Sequence, residues 1–174
     1  THPFLGSRLR GSALMGDERV RGHRRPCSEF NIHADPDAAE IVFSSGIPIV
    51  MCGLDVTEQA WFSPEEFAAL PDTPVGRFAR AATAGPMQKN MARGAGGLCL
   101  HDVCPVLYLT HPELFTGRQA GVHVETRGTV TYAKTVTDLD SDAKFPERNV
   151  FVVLGVDRAG FAAHITEALS SYAG

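Results

Sequence analysis

No apolar run in the 174-residue sequence approaches the roughly 20 residues that a transmembrane helix needs, which excludes an integral membrane protein. The first eight residues contain no long apolar stretch, so we expect no secretory signal. Cysteine is scarce, and four scattered residues favour reduced thiols in a cytoplasmic protein over a disulfide framework. With 44% hydrophobic and 21% charged residues, residues 1–174 have the composition of a single globular domain.

Charge is distributed unevenly along the chain. Residues 1–25 contain six arginines and two acidic residues, a net charge of +4, whereas the remainder carries −8. A basic arm can hold nucleic acid, but this one has only Phe4 for base stacking and no helix-turn-helix or zinc-finger pattern. We therefore interpret it as an exposed, solvated segment and expect no nucleic-acid partner.

Turn and capping signals predict alternating short strands and helices, and hence an α/β fold. Helices are predicted to begin at Asp35-Pro36, at Ser63-Pro64 and at Thr73-Pro74, the last ending before Gly85-Pro86. Strands are predicted at 10–15, at 47–52, at 150–156, and in a hairpin of 119–126 and 129–137 joined across Arg127-Gly128. The apolar run 47–52 suits a strand buried on both faces. In a sheet of only about five strands, both faces of that strand would be hard to cover without a further segment.

Glu29 and Asn31 form the first group of polar residues that could carry chemistry. On a segment that we predict to be extended, side chains two positions apart point the same way. A carboxylate and an amide so placed could bind the hydroxyls of a sugar. The simpler interpretation of the tripeptide alone is a surface charge followed by a turn residue.

His101 and Asp102 form the second group. Asp102 is well placed as a helix N-cap, which is the interpretation that its position alone favours. The functional alternative makes Asp102 a ligand for a hard cation and makes His101 a proton donor, because imidazole titrates near neutral pH.

Two further patterns suggest metals but fit them poorly. Cys99 and Cys104 have a spacing at the edge of the zinc range, and no second ligand pair follows, so buried thiols explain them better. Residues 138–142 imitate the start of an EF-hand loop, but Ala143 and Asn149 stand where that loop requires glycine and glutamate. We interpret this stretch as a solvated acidic turn.

Taken in order, the sequence resembles the C-terminal half of the nucleoside hydrolase family, of the inosine/uridine-preferring type. The matching segments span nearly the whole chain: Ser28-Glu29-Phe30-Asn31-Ile32, Asp35-Pro36-Asp37-Ala38-Ala39, Ser45-Gly46-Ile47-Pro48, Gly53-Leu54-Asp55-Val56-Thr57, His101-Asp102, Thr110-His111-Pro112-Glu113-Leu114-Phe115, Val124-Glu125-Thr126, Thr135-Val136-Thr137-Asp138 and Asn149. The resemblance implies a Rossmann-like mixed sheet with flanking helices, incomplete relative to the family fold, with a β-hairpin near the C-terminus.

The family hydrolyses the N-glycosidic bond of ribonucleosides, releasing a free base and ribose. By resemblance, Glu29 and Asn31 would hold ribose hydroxyls, with Phe30 shaping the pocket beside them. His23 stands where the family has an asparagine that contacts the ribose, so it is a fourth expected substrate contact. The expected partner is a small nucleoside.

The resemblance also implies a calcium ion, with Asp102 as one ligand and His101 as the acid at the leaving base. The aspartate-rich motif D-T-D-x-G-x-D-D that supplies most of the family's ligands has no match here. Because calcium takes six to eight oxygen ligands, we expect the isolated chain to bind calcium weakly and to be inactive without the missing half, in the same chain or as a second polypeptide. A homo-oligomer is a further expected partner. The alternative is a truncated, non-catalytic remnant that acts as a binding or interaction module.

Overall fold

The computed structural model describes residues 9–16, 28–140 and 144–172. The strands are β1 (Ser12–Gly16), β2 (Ile49–Gly53), β3 (Trp61–Phe62), β4 (Leu98–Cys99), β5 (Phe115–Val124), β6 (Thr135–Asp138) and β7 (Val150–Val156). The helices are α1 (Phe30–Ala34), α2 (Pro36–Phe43), α3 (Leu54–Thr57), α4 (Pro64–Ala68), α5 (Pro74–Met91), α6 (Val103–Thr110) and α7 (Arg158–Ser170), with a 3-10 helix at Pro112–Leu114. Across these ranges, no helix combines the length and the apolarity that a membrane crossing would need.

Five strands form one mixed sheet in the order β1-β2-β7-β5-β6. Strands β1, β2 and β7 are parallel to one another, whereas β5 is antiparallel to both β7 and β6. Strands β3 and β4 form a separate antiparallel pair. The predicted α/β architecture with a mixed sheet is confirmed.

Strand β2 is covered on both faces by the described residues alone. Ile49 and Met51 belong to a cluster that includes Phe43 of α2, whereas Cys52 belongs to a second cluster with Cys104 and Phe161. The successive side chains of a strand point to opposite faces, so helices on each side bury one set. The expectation that this strand would lack cover was wrong.

The predicted helix starts are confirmed by their caps. The Asp35 carboxylate accepts a hydrogen bond of 2.9 Å from the Ala38 amide at the start of α2. Ser63 and Glu66 form a reciprocal capping box, in which each side chain accepts from the other residue's backbone amide. The Thr73 hydroxyl accepts from the Gly76 amide at the start of α5.

The predicted end of α5 before Gly85-Pro86 was wrong, because the helix continues through Pro86 to Met91. Proline removes one backbone hydrogen bond and normally costs about 3 kcal/mol inside a helix. Here the following residue, Met87, is buried in a cluster with Phe62 and Phe67. This tertiary packing favours continuation where the local signal favours a stop.

The predicted hairpin exists, but its turn is longer than expected. Strands β5 and β6 pair with Val124 opposite Thr135, so residues 125–134 form the connection and 129–134 are not a strand. The Glu125 carboxylate accepts hydrogen bonds of 2.7 and 2.9 Å from the amides of Arg127 and Gly128. Those amides are thus satisfied locally and do not join a ladder.

Candidate functional site

The predicted site residues lie on segments at the carboxyl ends of two adjacent parallel strands. Gly16 at the end of β1 pairs with Gly53 at the end of β2. Asn31 of α1 contacts Met15 of β1, with 3.4 Å between its amide nitrogen and the methionine sulfur. Thr57 ends α3, which directly follows β2. Ligands of open α/β sheets bind at this edge, and the described residues place the candidate site there.

Glu29 is the N-cap of α1, and this corrects the prediction of an extended segment. Its Oε2 accepts hydrogen bonds of 2.7 and 3.1 Å from the amides of Asn31 and Ile32. Glu29 has extended backbone angles but Asn31 is helical, so their side chains do not simply point the same way. Glu29 is 2% exposed, and Phe30 beside it is half-exposed.

A buried hydroxyl next to Glu29 was not singled out by the sequence. Ser28 is fully buried, and its Oγ has no hydrogen-bond partner in the part of the chain that the structure describes. Buried polar groups are normally paired, so this hydroxyl is a polar contact available to a bound molecule or to a neighbouring segment. Ser28 belongs to the segment that carries the family resemblance.

His101 is held by Thr57. Its Nδ1 lies 2.8 Å from the Thr57 hydroxyl, which sits on a residue with 0% exposure. Because Thr57 is buried at the end of α3, its hydroxyl is a fixed partner that orients the imidazole. The contact joins residues 44 positions apart, so no local sequence signal predicts it.

Asp102 occupies the N-cap position of α6, as predicted, but its side chain makes no cap hydrogen bond. Two other aspartates in the same position behave differently: Asp35 and Asp157 accept from the first amides of α2 and α7. The difference follows from the backbone, because Asp102 is already helical (φ −73°, ψ −13°) whereas the other two are not. An exposed carboxylate that makes no cap hydrogen bond therefore lies next to His101 in the chain.

Cys104 and Asp138, which belong to the two patterns that suggested metals, have other surroundings in the structure. Burial raises the pKa of the Cys104 thiol to about 12, and Cys99 lies in no group of three potential metal ligands among the described residues. The Asp138 carboxylate accepts from the amides of Phe145, Asp140 and Lys144, which hold its pKa below its usual range. Its oxygens thus bind backbone in a turn.

A cleft of about 470 Å³ lies elsewhere, at the amino ends of β2 and β7. Its lining includes Ile49, Tyr108, Arg148 and Phe151 and none of the predicted site residues. Arg148 is committed to the backbone carbonyls of the surrounding loops, so the cleft offers no free cation for a ligand. His23, the remaining predicted contact, lies outside the described residues, as does most of the basic arm.

Residues 1–163 match the family model described as inosine-uridine preferring nucleoside hydrolase, and the chain therefore belongs to the nucleoside hydrolase family. It is 42% identical over 167 residues to the non-specific ribonucleoside hydrolase RihC of Escherichia coli, covering 93% of this chain and 52% of that protein. The purine-preferring ribonucleoside hydrolase from Gardnerella vaginalis superposes with a TM-score of 0.82 at 32% identity, covering 92% of this chain and 52% of the other. A plant nucleoside hydrolase superposes with a TM-score of 0.79 at 25% identity, covering 90% of this chain and 52% of the plant chain. The chain thus spans about half the length of these relatives.

Proposed function

We propose that this chain is the C-terminal half of a ribonucleoside hydrolase that cleaves the N-glycosidic bond to free base and ribose. The observation that carries the proposal is the Asp102 carboxylate, which makes no cap hydrogen bond beside an imidazole fixed by a buried hydroxyl. Structural aspartates at helix starts are used by the helix, as Asp35 is. A carboxylate at a helix start that makes no cap hydrogen bond supports a role in binding or chemistry.

The reaction would divide its tasks among the residues at the strand edge. The transition state resembles an oxocarbenium ion, so catalysis needs a proton for the departing base and support for charge on the ribose. We assign the proton to His101, whose ring Thr57 holds in one orientation. Glu29 and Asn31 would contact ribose hydroxyls, and the half-exposed ring of Phe30 would form an apolar wall beside them.

The donor set fits a calcium ion in part. Asp102 offers the carboxylate oxygens that hard cations prefer, but the described residues bring no two further metal-ligating side chains to it. When bound, calcium would chelate the ribose diol and lower the pKa of the attacking water. The described residues thus supply no group of three acidic, His or Cys ligands around Asp102, and we accordingly propose that the chain alone binds calcium weakly.

Joining the chain to a complementary half tests the proposal. The chain would be fused behind the part of E. coli RihC that it does not cover, and release of base from uridine and inosine would be measured with and without a chelator. We expect release by the fusion, loss with chelator, and none from the 174-residue chain. A folded fusion without activity, or chelator-sensitive activity of the chain alone, would contradict the proposal.

The alternative, a non-catalytic interaction module, is favoured by one observation. Val106 and Leu109 on α6, the helix that follows Asp102, are 63% and 70% exposed. An uncovered apolar face of this kind drives association. The alternative predicts oligomers by light scattering and strong binding of a dye for apolar surfaces, whereas a monomer with little dye binding would count against it.

We infer a cytoplasmic setting from the cysteines that the structure describes. Cys52, Cys99 and Cys104 are free thiols, and Cys52 and Cys104 are buried in the core. Scarce, unpaired cysteines are typical of reducing compartments. Thiol titration of protein purified from its natural source tests the inference, because a disulfide involving any of the three would contradict it.

A further inference from the structure

We propose that His111, Glu113 and His164 form a binding site for a transition-metal ion of the zinc type. The inference does not rest on the proposed hydrolase activity. Among the described residues these three form the one group of potential ligands whose donor atoms all lie within 4.8 Å of one another. The two imidazole rings are tilted by 36°, with centroids 4.0 Å apart.

The backbone brings together the two segments that carry the three side chains before any metal binds. His111 immediately precedes the 3-10 helix, Glu113 lies within it, and His164 lies on α7. The Asp157 amide donates a 2.7 Å hydrogen bond to the Leu114 carbonyl, which ties the 3-10 helix to the start of α7. The two segments pack so closely that a Cβ at Gly160 would lie 2.6 Å from a methyl group of Leu114.

The hydrogen bond that His111 makes suits ligation of a metal. His111 Nδ1 lies 2.9 Å from the Thr110 hydroxyl, so its other nitrogen, Nε2, is the one that a metal would take. A hydrogen bond to one ring nitrogen commonly orients a metal-binding histidine. Glu167, one helical turn from His164, has a carboxylate oxygen 3.9 Å from its Nδ1, which is an ion-pair distance and too long for a hydrogen bond.

The donor set selects the kind of ion. Two imidazoles and one carboxylate suit Zn²⁺ and similar first-row ions, whereas calcium takes oxygen ligands. Bond lengths of about 2.0–2.2 Å need donor atoms closer than the present spread of 4.8 Å. The exposed Glu113 side chain can rotate to close that gap. Three protein ligands leave the fourth tetrahedral position to water.

This site is distinct from the candidate hydrolase site. Asp102 and His111 lie at opposite ends of α6, whose eight residues span about 12 Å. A metal here would join the 3-10 helix to α7 without touching the Asp102 carboxylate. The two sites therefore predict opposite ion preferences, which allows them to be tested separately.

The test is a calorimetric titration of the 174-residue chain with Zn²⁺. We expect one ion per chain, and at least a tenfold loss of affinity in both His164→Gln and His111→Gln. His123→Gln is the matched control, because His123 is also partly exposed and pairs with a single carboxylate, Glu40. Its affinity for Zn²⁺ should equal that of the wild type, and excess Ca²⁺ should not compete.

Two further measurements keep the outcome decisive. Circular dichroism shows whether each variant is folded, and either cluster variant that folds suffices for the comparison. Asp102→Asn should leave Zn²⁺ binding unchanged, so failure of the hydrolase proposal and failure of this one are distinguishable. The proposal is overturned if the wild type binds no Zn²⁺, or if folded cluster variants bind as tightly as the wild type.

Discussion

Replacing Thr57 by valine tests whether the buried hydroxyl positions His101. Valine keeps the shape of threonine but leaves the imidazole Nδ1 without the partner that now lies 2.8 Å away. Leaving a buried polar group unpaired costs about 1–3 kcal/mol. With His101 only half-buried, we expect the lower figure, which for a chain of this size lowers Tm by about 2–4 °C.

Thr57→Ser is the matched control, because it keeps the hydroxyl and loses one methyl group, at a similar cost of about 1 kcal/mol. The two variants should therefore differ little in stability. They should differ in the histidine ring signals of a ¹⁵N NMR spectrum, which report the tautomer and its hydrogen bonds. In the active fusion, base release should fall on the order of tenfold for valine, equivalent to ~1.4 kcal/mol, and stay near wild type for serine. Equal activity and equal ring signals in both variants would refute the positioning role.

Three other predictions concern the fold. Glu40→Gln should lower the free energy of unfolding by about 1 kcal/mol at pH 7. The reason is that the folded protein favours the ionised carboxylate: burial raises the pKa of Glu40, but hydrogen bonds from its neighbours outweigh burial and lower the pKa. This stabilisation is complete above the ordinary carboxyl pKa and disappears as the pH falls through the pKa of Glu40 in the folded protein. The difference in unfolding free energy between wild type and variant, measured in urea, should therefore shrink towards pH 3. A difference that does not change with pH would contradict the prediction. Iodoacetamide at pH 8 should leave Cys52 and Cys104 unlabelled until urea is added, because burial raises both thiol pKa values to about 12; mass spectrometry identifies any labelled peptide. Phe161→Ala removes a side chain that is 0% exposed and should lower the free energy of unfolding by about 3–5 kcal/mol. Phe78→Ala, at a residue that is 73% exposed, should change it by less than about 0.5 kcal/mol. Similar losses of unfolding free energy in both variants would contradict the assignment of Phe161 to the core.

Local signals were sufficient where the structure depends on a few neighbouring residues. The caps at Asp35 and Ser63 were predictable because a side-chain oxygen and an amide three positions on decide them. The continuation of α5 through Pro86 was not, because it depends on Met87 packing against aromatic residues of other elements. Local proline chemistry gives the opposite expectation.

The candidate site divides in the same way. The N-cap position of Asp102 could be predicted, but that its side chain makes no cap bond depends on backbone angles that the sequence does not display. The cap made by Glu29 was missed because α1 has only five residues and glutamate is not among the preferred N-cap residues. The contact between Thr57 and His101 depends on how α3 and α6 meet in the fold.

We propose that Asp102 acts in catalysis and is not needed for the fold, and a single substitution separates the two roles. Asp102→Asn would be measured in the fusion with the complementary half, for base release from uridine and for stability. Because the carboxylate is exposed and caps nothing, stability should stay within about 0.5 kcal/mol of wild type. Base release should fall on the order of 100-fold, because a calcium ligand is lost and even changes to the partners of metal ligands typically cost 10–100-fold. A variant that releases base as fast as the wild type, or that loses activity only because it unfolds, would contradict the account.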